Sequence, residues 1–408
     1  MRIGRTFLLG IFGSLLVTPG VVATCEQQAD AAVVAKRSTR AIKTTPAKAK
    51  TEHVELESKA QKTKSGFGDN VPENQPSARF KGHKPVVPRV RDPLPSWLGS
   101  APKKLGVILR PNKKIPWMAR SAFNATAVVK GDKVHLMVRV QDEEGAGKWY
   151  GTSRIAHAES TDGVHFTMHD KPVMEPTEWY EAEGGTEDPR VTEIDGKYYM
   201  TYTGYRWADK TARLALAVSD DLVHWEKKGL VVPDWKGHAS HPQWSKSGAI
   251  VPKKINGEYV MYFLATSPTS PHEQMYMARS KDLVTWKPDK RPVLSAREGF
   301  WDGILVEPGA PPFVDKVGNI HMTYNGDAPP NGYAAGEVVF SGKNPRKVIS
   351  RSNTPLLEVT EPFEKEGQVG NVIFLQGMAH FKNKIFWYYG AADDKVAVAV
   401  SDAPKQTP

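Results

Sequence analysis

The sequence predicts an all-β protein, a five-bladed β-propeller preceded by an export signal and a disordered linker. Three observations carry this expectation. A strand-like run recurs five times, a serine closes a second run on the same beat, and turn formers are abundant, with 34 Gly and 31 Pro in 408 residues. Two markers sharing one period of about sixty residues describe a propeller blade of four short strands, and five such blades close without long exposed edges.

From the N-terminus, residues 1–24 read as an export signal. Arg2 and Arg5 form its basic end, Phe7 to Val17 its apolar stretch, and Val22-Ala23-Thr24 a small-residue exit. Gly10, Gly13 and Pro19 interrupt the apolar stretch and leave it too short for a membrane span. The single cysteine, Cys25, stands where cleavage would expose it, as in a bacterial lipoprotein signal. The expectation is therefore a periplasmic or extracellular protein, with a possible membrane tether through Cys25. Thr24 departs from the small residue usual before such a cysteine, so plain cleavage stays open, and with one cysteine no intramolecular disulfide can form.

Residues 25–96 are rich in Lys, Ala, Thr, Pro and Gln and poor in large apolar side chains, so burial cannot offset the entropy of ordering them. They read as a disordered basic linker. Residues 26–96 hold 14 Lys+Arg against 8 Asp+Glu, whereas Trp97 onward holds 39 against 37. The formal charge of +10 thus sits in the tail, which excludes a nucleic-acid groove on the folded domain.

The domain, residues 97–408, carries the repeats. The aromatic and β-branched runs start at Lys133, Lys197, Glu258, Asn319 and Lys384, spaced by 64, 61, 61 and 65 residues, each after a turn signal. The closing serines are Ser160, Ser219, Ser280, Ser341 and Ser401, spaced by 59, 61, 61 and 60. Trp225 and Trp286 occupy one repeat slot and read as blade core.

The innermost strand of each blade should precede the aromatic run. Its leading polar residues are Asn124, Asp188, Lys246, Glu307 and Gln376, one per repeat. Burying such groups unpartnered costs a few kcal/mol each, so their convergence suits a bound polar ligand or trapped water. Asp188 and Glu307 are two carboxylates on different blades, and inverting cleavage of a sugar bond needs two acids about 6.5–9.5 Å apart. The histidines show no HExxH spacing, and no Walker loop, dinucleotide fingerprint or GxSxG elbow is present, so neither a metal nor a cofactor is expected. Nothing in the residues speaks to oligomeric state.

These residues resemble glycoside hydrolase family 130, the β-mannoside phosphorylases and β-mannosidases. The matching pieces are FNATAV at Phe123, the Arg139 strand, GTSRIAHAES at Gly151, GGTEDPRV at Gly184, KSGAIVPKKINGEYVMYF at Lys246, VEPGAPP at Val306, EGQVGNVIF at Glu366 and YYGAADDKVAVAV at Tyr388. The resemblance implies a five-bladed propeller acting on an oligosaccharide or glycan. It makes Asp188 the general acid, passing its proton through a sugar hydroxyl. Arg139, Asn124 and Asp393 match positions that contact the mannose, and Lys246 matches a phosphate-binding lysine. Arg154 is a candidate sugar contact. Arg190 and Glu187 flank the acid and either orient it or form salt bridges, and Arg190 is also a candidate substrate contact. Trp149 and Tyr150 form a sugar platform or pack at the rim.

Where the phosphorylases place further basic residues, this chain has Tyr262, Phe263 and Leu264, and a lysine-bearing motif gives way to LVEPG with Glu307. A phosphate dianion needs several donors and positive charges. The expectation is therefore an inverting β-mannosidase, acting on β-1,2-linked or related mannosides, with Glu307 as base and Glu273, on a loop, as its rival. The alternatives are a phosphorylase using inorganic phosphate as co-substrate, and a propeller that only binds glycans.

Overall fold

A computed structural model describes residues 90–144 and 151–404. The expected export signal, Cys25, most of the expected linker, and Trp149 and Tyr150 lie outside the described residues. The described chain is built from strands, with one four-residue α-helix at Pro362–Lys365 and two short 3-10 turns.

Each repeat forms one antiparallel meander. The first sheet runs Ser121–Lys130, Lys133–Gln141, Ser153–Ser160 and Thr167–Met168, and the second Glu183–Ile194, Lys197–Arg206, Thr211–Ser219 and Glu226–Leu230. The third runs Ser245–Ile250, Tyr259–Ser267, Ser270–Ser280 and Trp286–Pro288. The fourth runs Leu305–Pro308 with Phe313–Val314, then Ile320–Ala328, Gly332–Phe340 and Val348–Arg351. The fifth takes Ile373–Phe381, Lys384–Ala391 and Lys395–Asp402 from the C-terminus and its outer strand, Lys103–Leu109, from the N-terminus. This pairing ties the two ends of the folded chain together. A single parallel pair, Ser153 with Gly185, joins the first sheet to the second.

Why the markers recur is visible in the turns. Ser160, Ser219 and Ser280 each accept a backbone N–H three residues on, and the following Asp162, Asp221 and Asp282 each accept two more. These are short side-chain-to-backbone turns, which Ser and Asp form readily. Trp225 and Trp286 donate their indole N–H to Leu222 and Leu283 carbonyls, and Trp286 is buried. Both tryptophans belong to the apolar packing, as expected.

Apolar clusters fill the space between sequence-adjacent sheets and also between the fifth and the first. Ala379, Phe381, Tyr388 and Val398 of the fifth sheet pack with Leu136, Val138, Ala156 and Ala158 of the first. Each fully buried large side chain contributes roughly 1.5–3 kcal/mol. A sheet covered on both faces explains why Gly332–Phe340 is buried along its whole length. First strands contact one another from the first sheet to the fourth, and the fifth sheet's first strand contacts that of the first. Between the fourth and fifth sheets, Asn325 donates to the Leu375 carbonyl and accepts its N–H, at 3.0 and 2.9 Å.

The folded part begins before Trp97, where the linker was expected to end. The Asp92 carboxylate accepts the N–H groups of Asn353 and Thr354 at 2.5 and 2.9 Å, and Arg91 pairs with Glu358. Trp97 then donates to Glu337 at 2.5 Å and packs against Trp387. Polar composition hid these residues because hydrogen bonds, not apolar burial, attach them.

Candidate active site

The five polar positions picked from the repeats all fall on first strands, and the fold brings them together. Asn124 donates from its amide to an Asp188 oxygen at 2.8 Å. Gln376 donates to the Asn124 and Pro189 carbonyls, both at 2.7 Å. Lys246 lies 3.6 Å from Glu307, whose same oxygen accepts the Ser247 hydroxyl. First strands bulge at Asn124, at Asp188, after Lys246 and at Gln376. Asn124 and Asp188 have φ of 47° and 48°, a region that costs a non-glycine residue energy. A bulge re-aims a side chain out of the strand's alternation, and here it turns one polar group per sheet toward its neighbours. Gly390 makes room: a Cβ there would fall 2.0 Å from the Asn124 side-chain oxygen.

Beside this cluster lies a pocket of about 150 Å³ lined by Asn124, Arg139, Glu187, Asp188, Lys246 and Asp393, among others. Arg139 organises its acids. Its guanidinium is 2.5 Å from Glu187, 3.2 Å from Asp188 and 3.1 Å from the Ser153 hydroxyl, and it lies over the Phe123 ring at 4.6 Å. Burial alone would raise the Asp188 carboxyl, but Arg139 and Lys246 outweigh it and hold it below the usual carboxylate value. Its neighbour Glu187 is pushed up to about 7 by burial, against the pull of Arg139. Asp393, on the turn after Lys384–Ala391, is also pushed up to about 7 by burial. Burial likewise raises Glu307, with Lys246 and Arg190 opposing. Burial would lower Lys246, but Glu307 and Glu273 keep it charged. Asp188 is therefore the readily ionised carboxyl of the pocket, beside Glu187 and Asp393, which titrate near neutral pH.

Five sequence-based assignments change. Arg190 was taken as a possible substrate contact, yet it is buried and spends its donors on the Pro308, Gly309 and Asp188 carbonyls at 2.7, 2.8 and 3.3 Å. It clamps the strand carrying Glu307. Arg154 does not line the pocket, because Asp142 and Glu175 hold it at 2.6 and 2.7 Å. Gln376 and Glu307 are buried in the polar cluster and are not among the residues lining the pocket. Glu273 sits inside the strand Ser270–Ser280, not on a loop, and accepts the Trp244 indole N–H at 2.7 Å.

The sequence reading missed Tyr205, Trp207, Trp244, Gln368 and Tyr333, all lining the pocket. Tyr205 ends the aromatic run that starts at Lys197 and Trp207 follows it, so looking at where such runs end would have flagged them. Gln368 donates to the Gln141 side chain and the Asp393 carbonyl, a contact between distant segments that no local pattern reveals. Among the described residues no group of three or more His, Cys, Asp or Glu is arranged to hold a metal ion.

Buried acids of divided protonation, held by an arginine beside an aromatic wall, define a site for acid-base chemistry on a sugar. The comparisons name its family. A family profile described as beta-1,4-mannooligosaccharide phosphorylase matches residues 103–405, and the chain belongs to that family, glycoside hydrolase family 130. A 1,2-beta-oligomannan phosphorylase of Thermoanaerobacter is 36% identical over 297 residues, 72% of this chain and 94% of that protein. A beta-1,2-mannobiose phosphorylase of the same organism is 34% identical over 310 residues, covering 73% and 95%. One solved structure comes from work stating that the GH130 family of mannoside phosphorylases contains glycoside hydrolases that target beta-1,2 mannosidic linkages in Candida mannan. It matches with a TM-score of 0.69 at 31% identity, covering 78% of this chain and 98% of that one. Of the two nucleophiles weighed from the sequence, the named activities of the relatives back phosphate better than water.

Proposed function

We propose that this protein cleaves β-1,2-linked mannosides in the pocket, with Asp188 as general acid and water as nucleophile. The observation that carries the choice of water is the charge around Lys246. The pocket is lined by two cations and three carboxyls. Arg139 is engaged by Glu187 and Asp188, and Lys246 is 3.6 Å from Glu307 with Glu273 also acting on it. Both cations are thus already paired with carboxylates, and a phosphate dianion entering there would find no further basic side chain among the described residues lining the pocket, whereas a neutral water needs none. Glu307 is assigned as the base although it does not line the pocket. It lies 3.6 Å from the lining Lys246, its second oxygen has no hydrogen-bond partner, and it would act on a water held beside that lysine. Sugar binding supplies the acid's proton: it excludes water from Asp188 and favours moving a proton there from the Glu187 side of the pair.

The architecture belongs to the same proposal. The five meanders, their shared apolar clusters and the tie between chain ends support a five-bladed propeller with the pocket at its axis. The N-terminal sequence supports export.

Phosphorolysis is the second reading, favoured by the activities named for the relatives and by a lysine in the pocket. The deciding experiment is incubation with β-1,2-mannobiose, with and without inorganic phosphate. Free mannose formed in phosphate-free buffer is the expected result. Strict phosphate dependence with mannose 1-phosphate as product would replace water by phosphate.

A further inference from the structure

Among the described residues the only exposed Trp, Tyr or Phe is Trp179, 56% exposed, and it is mounted rigidly. It opens the short turn Trp179–Glu181, where Glu178 and Glu181 form a reciprocal capping box. Glu181 is fully buried and anchored by Lys227 at 2.6 Å and by the Tyr202 hydroxyl at 2.8 Å. Tyr180 is buried beneath, edge-on to the indole at 5.6 Å. The turn thus commits a buried ion pair and two buried tyrosines to holding one indole in water.

The turn that carries the indole is also tied to the pocket wall. Arg213 lies over it at 5.1 Å and Arg206 at 5.8 Å. Arg213 donates to Gln243 at 3.0 Å, and the next residue, Trp244, lines the pocket. The N–H of Trp207, another lining residue, bonds the Ala182 carbonyl at the end of the Trp179 turn. Two short links therefore run from the pocket wall to the exposed ring. Arg213 is held by Asp209, Gln243 and the Thr211 carbonyl, and Arg206 pairs with Asp209, so the two guanidiniums fix the ring in place. The exposed part of the stiff indole suits the axial C–H face of a sugar.

We infer that Trp179, held in place by Arg206 and Arg213, forms a distal stacking subsite for a mannose unit of a longer chain whose cleaved bond sits at Asp188. The inference rests on the proposed function and extends it to oligosaccharides. Its test is a chain-length series of β-1,2-mannooligosaccharides titrated calorimetrically into full-length protein carrying Asp188→Asn, so that ligand is not consumed. Adding Trp179→Ala should weaken binding of a tetrasaccharide about 10-fold, from the loss of one stacked ring, and leave mannobiose within twofold. Trp179→Phe should restore part of the affinity. The thermal midpoint should stay unchanged, because the ring buries little of itself. Equal tetrasaccharide affinity with and without Trp179→Ala overturns the subsite. So does an equal loss for both ligands, which would mean the change acts on the pocket through Arg213 and Gln243. If the protein without Trp179→Ala binds no mannoside of any length, the proposed function falls and the subsite with it.

Discussion

Replacing Glu307 by Gln separates water from phosphate as the attacking group. The change is nearly isosteric, and the amide oxygen can still accept the Ser247 hydroxyl, so the buried strand end should keep its shape. What changes is charge. At 3.6 Å the Lys246–Glu307 attraction is about 5 kcal/mol at an effective dielectric of 20. Desolvation offsets part of this, so unmasking Lys246 shifts the pocket toward anions by a few kcal/mol. If Glu307 takes the proton from water, removing it should slow mannose release in phosphate-free buffer by about 10²–10⁴-fold. Turnover on added phosphate should hold or improve, since a neutral amide no longer repels the dianion. The assay is initial-rate mannose release from β-1,2-mannobiose, with product identity checked by chromatography. Wild-type hydrolysis by Glu307→Gln without phosphate would refute the assignment of the base.

Asp188→Asn should abolish cleavage on either nucleophile while preserving sugar binding, seen as turnover against calorimetric affinity; turnover at wild-type level would leave the pocket a binding site only. The pH profile of kcat/KM, which reports the free enzyme, should fall above about pH 7, because Glu187 and Asp393 lose their protons there; a profile flat from pH 6 to 9 would contradict the proton-holding role. Stability carries a sign too. Carboxyls raised from about 4.5 or below to about 7 bind more protons folded than unfolded, so folding stability should decline as pH rises between those values and level off above. The decline should be smaller in Glu187→Gln, measured as Tm against pH. Asp302 is buried and accepts from Arg297, Arg351 and the Tyr324 hydroxyl at 3.0, 2.5 and 2.6 Å. Asp302→Ala leaves two guanidiniums without their carboxylate and should cost about 3–5 kcal/mol, lowering Tm by roughly 5–15 °C with KM unchanged; an unaltered Tm would show the network to be energetically idle.

The β class, the five units and the five first-strand positions were legible because they depend on local chemistry repeated on a period. Alternation and β-branching specify strands, and a Ser with a nearby Asp specifies a turn wherever it occurs. Residue type at Asn124, Asp188, Lys246, Glu307 and Gln376 likewise announced polar groups where a strand would otherwise be apolar. Roles within that set were not legible. Glu307 and Lys246 are sixty-one residues apart in sequence and 3.6 Å apart in space, and only the packed sheets reveal that each neutralises the other. Arg190 reads as a site residue from its place in EDPR, yet its donors meet Pro308 and Gly309, more than a hundred residues away. Which carboxyl keeps a proton is likewise a tertiary property: Glu187 and Asp188 are chain neighbours with opposite shifts, because burial dominates one and Arg139 with Lys246 the other. The sequence by itself determined the strands, the turns and the polar inventory, since these follow from each residue's own backbone and side-chain chemistry. Tertiary structure decided partners, protonation and access to the pocket, since these depend on distances and desolvation that arise only when the five sheets pack.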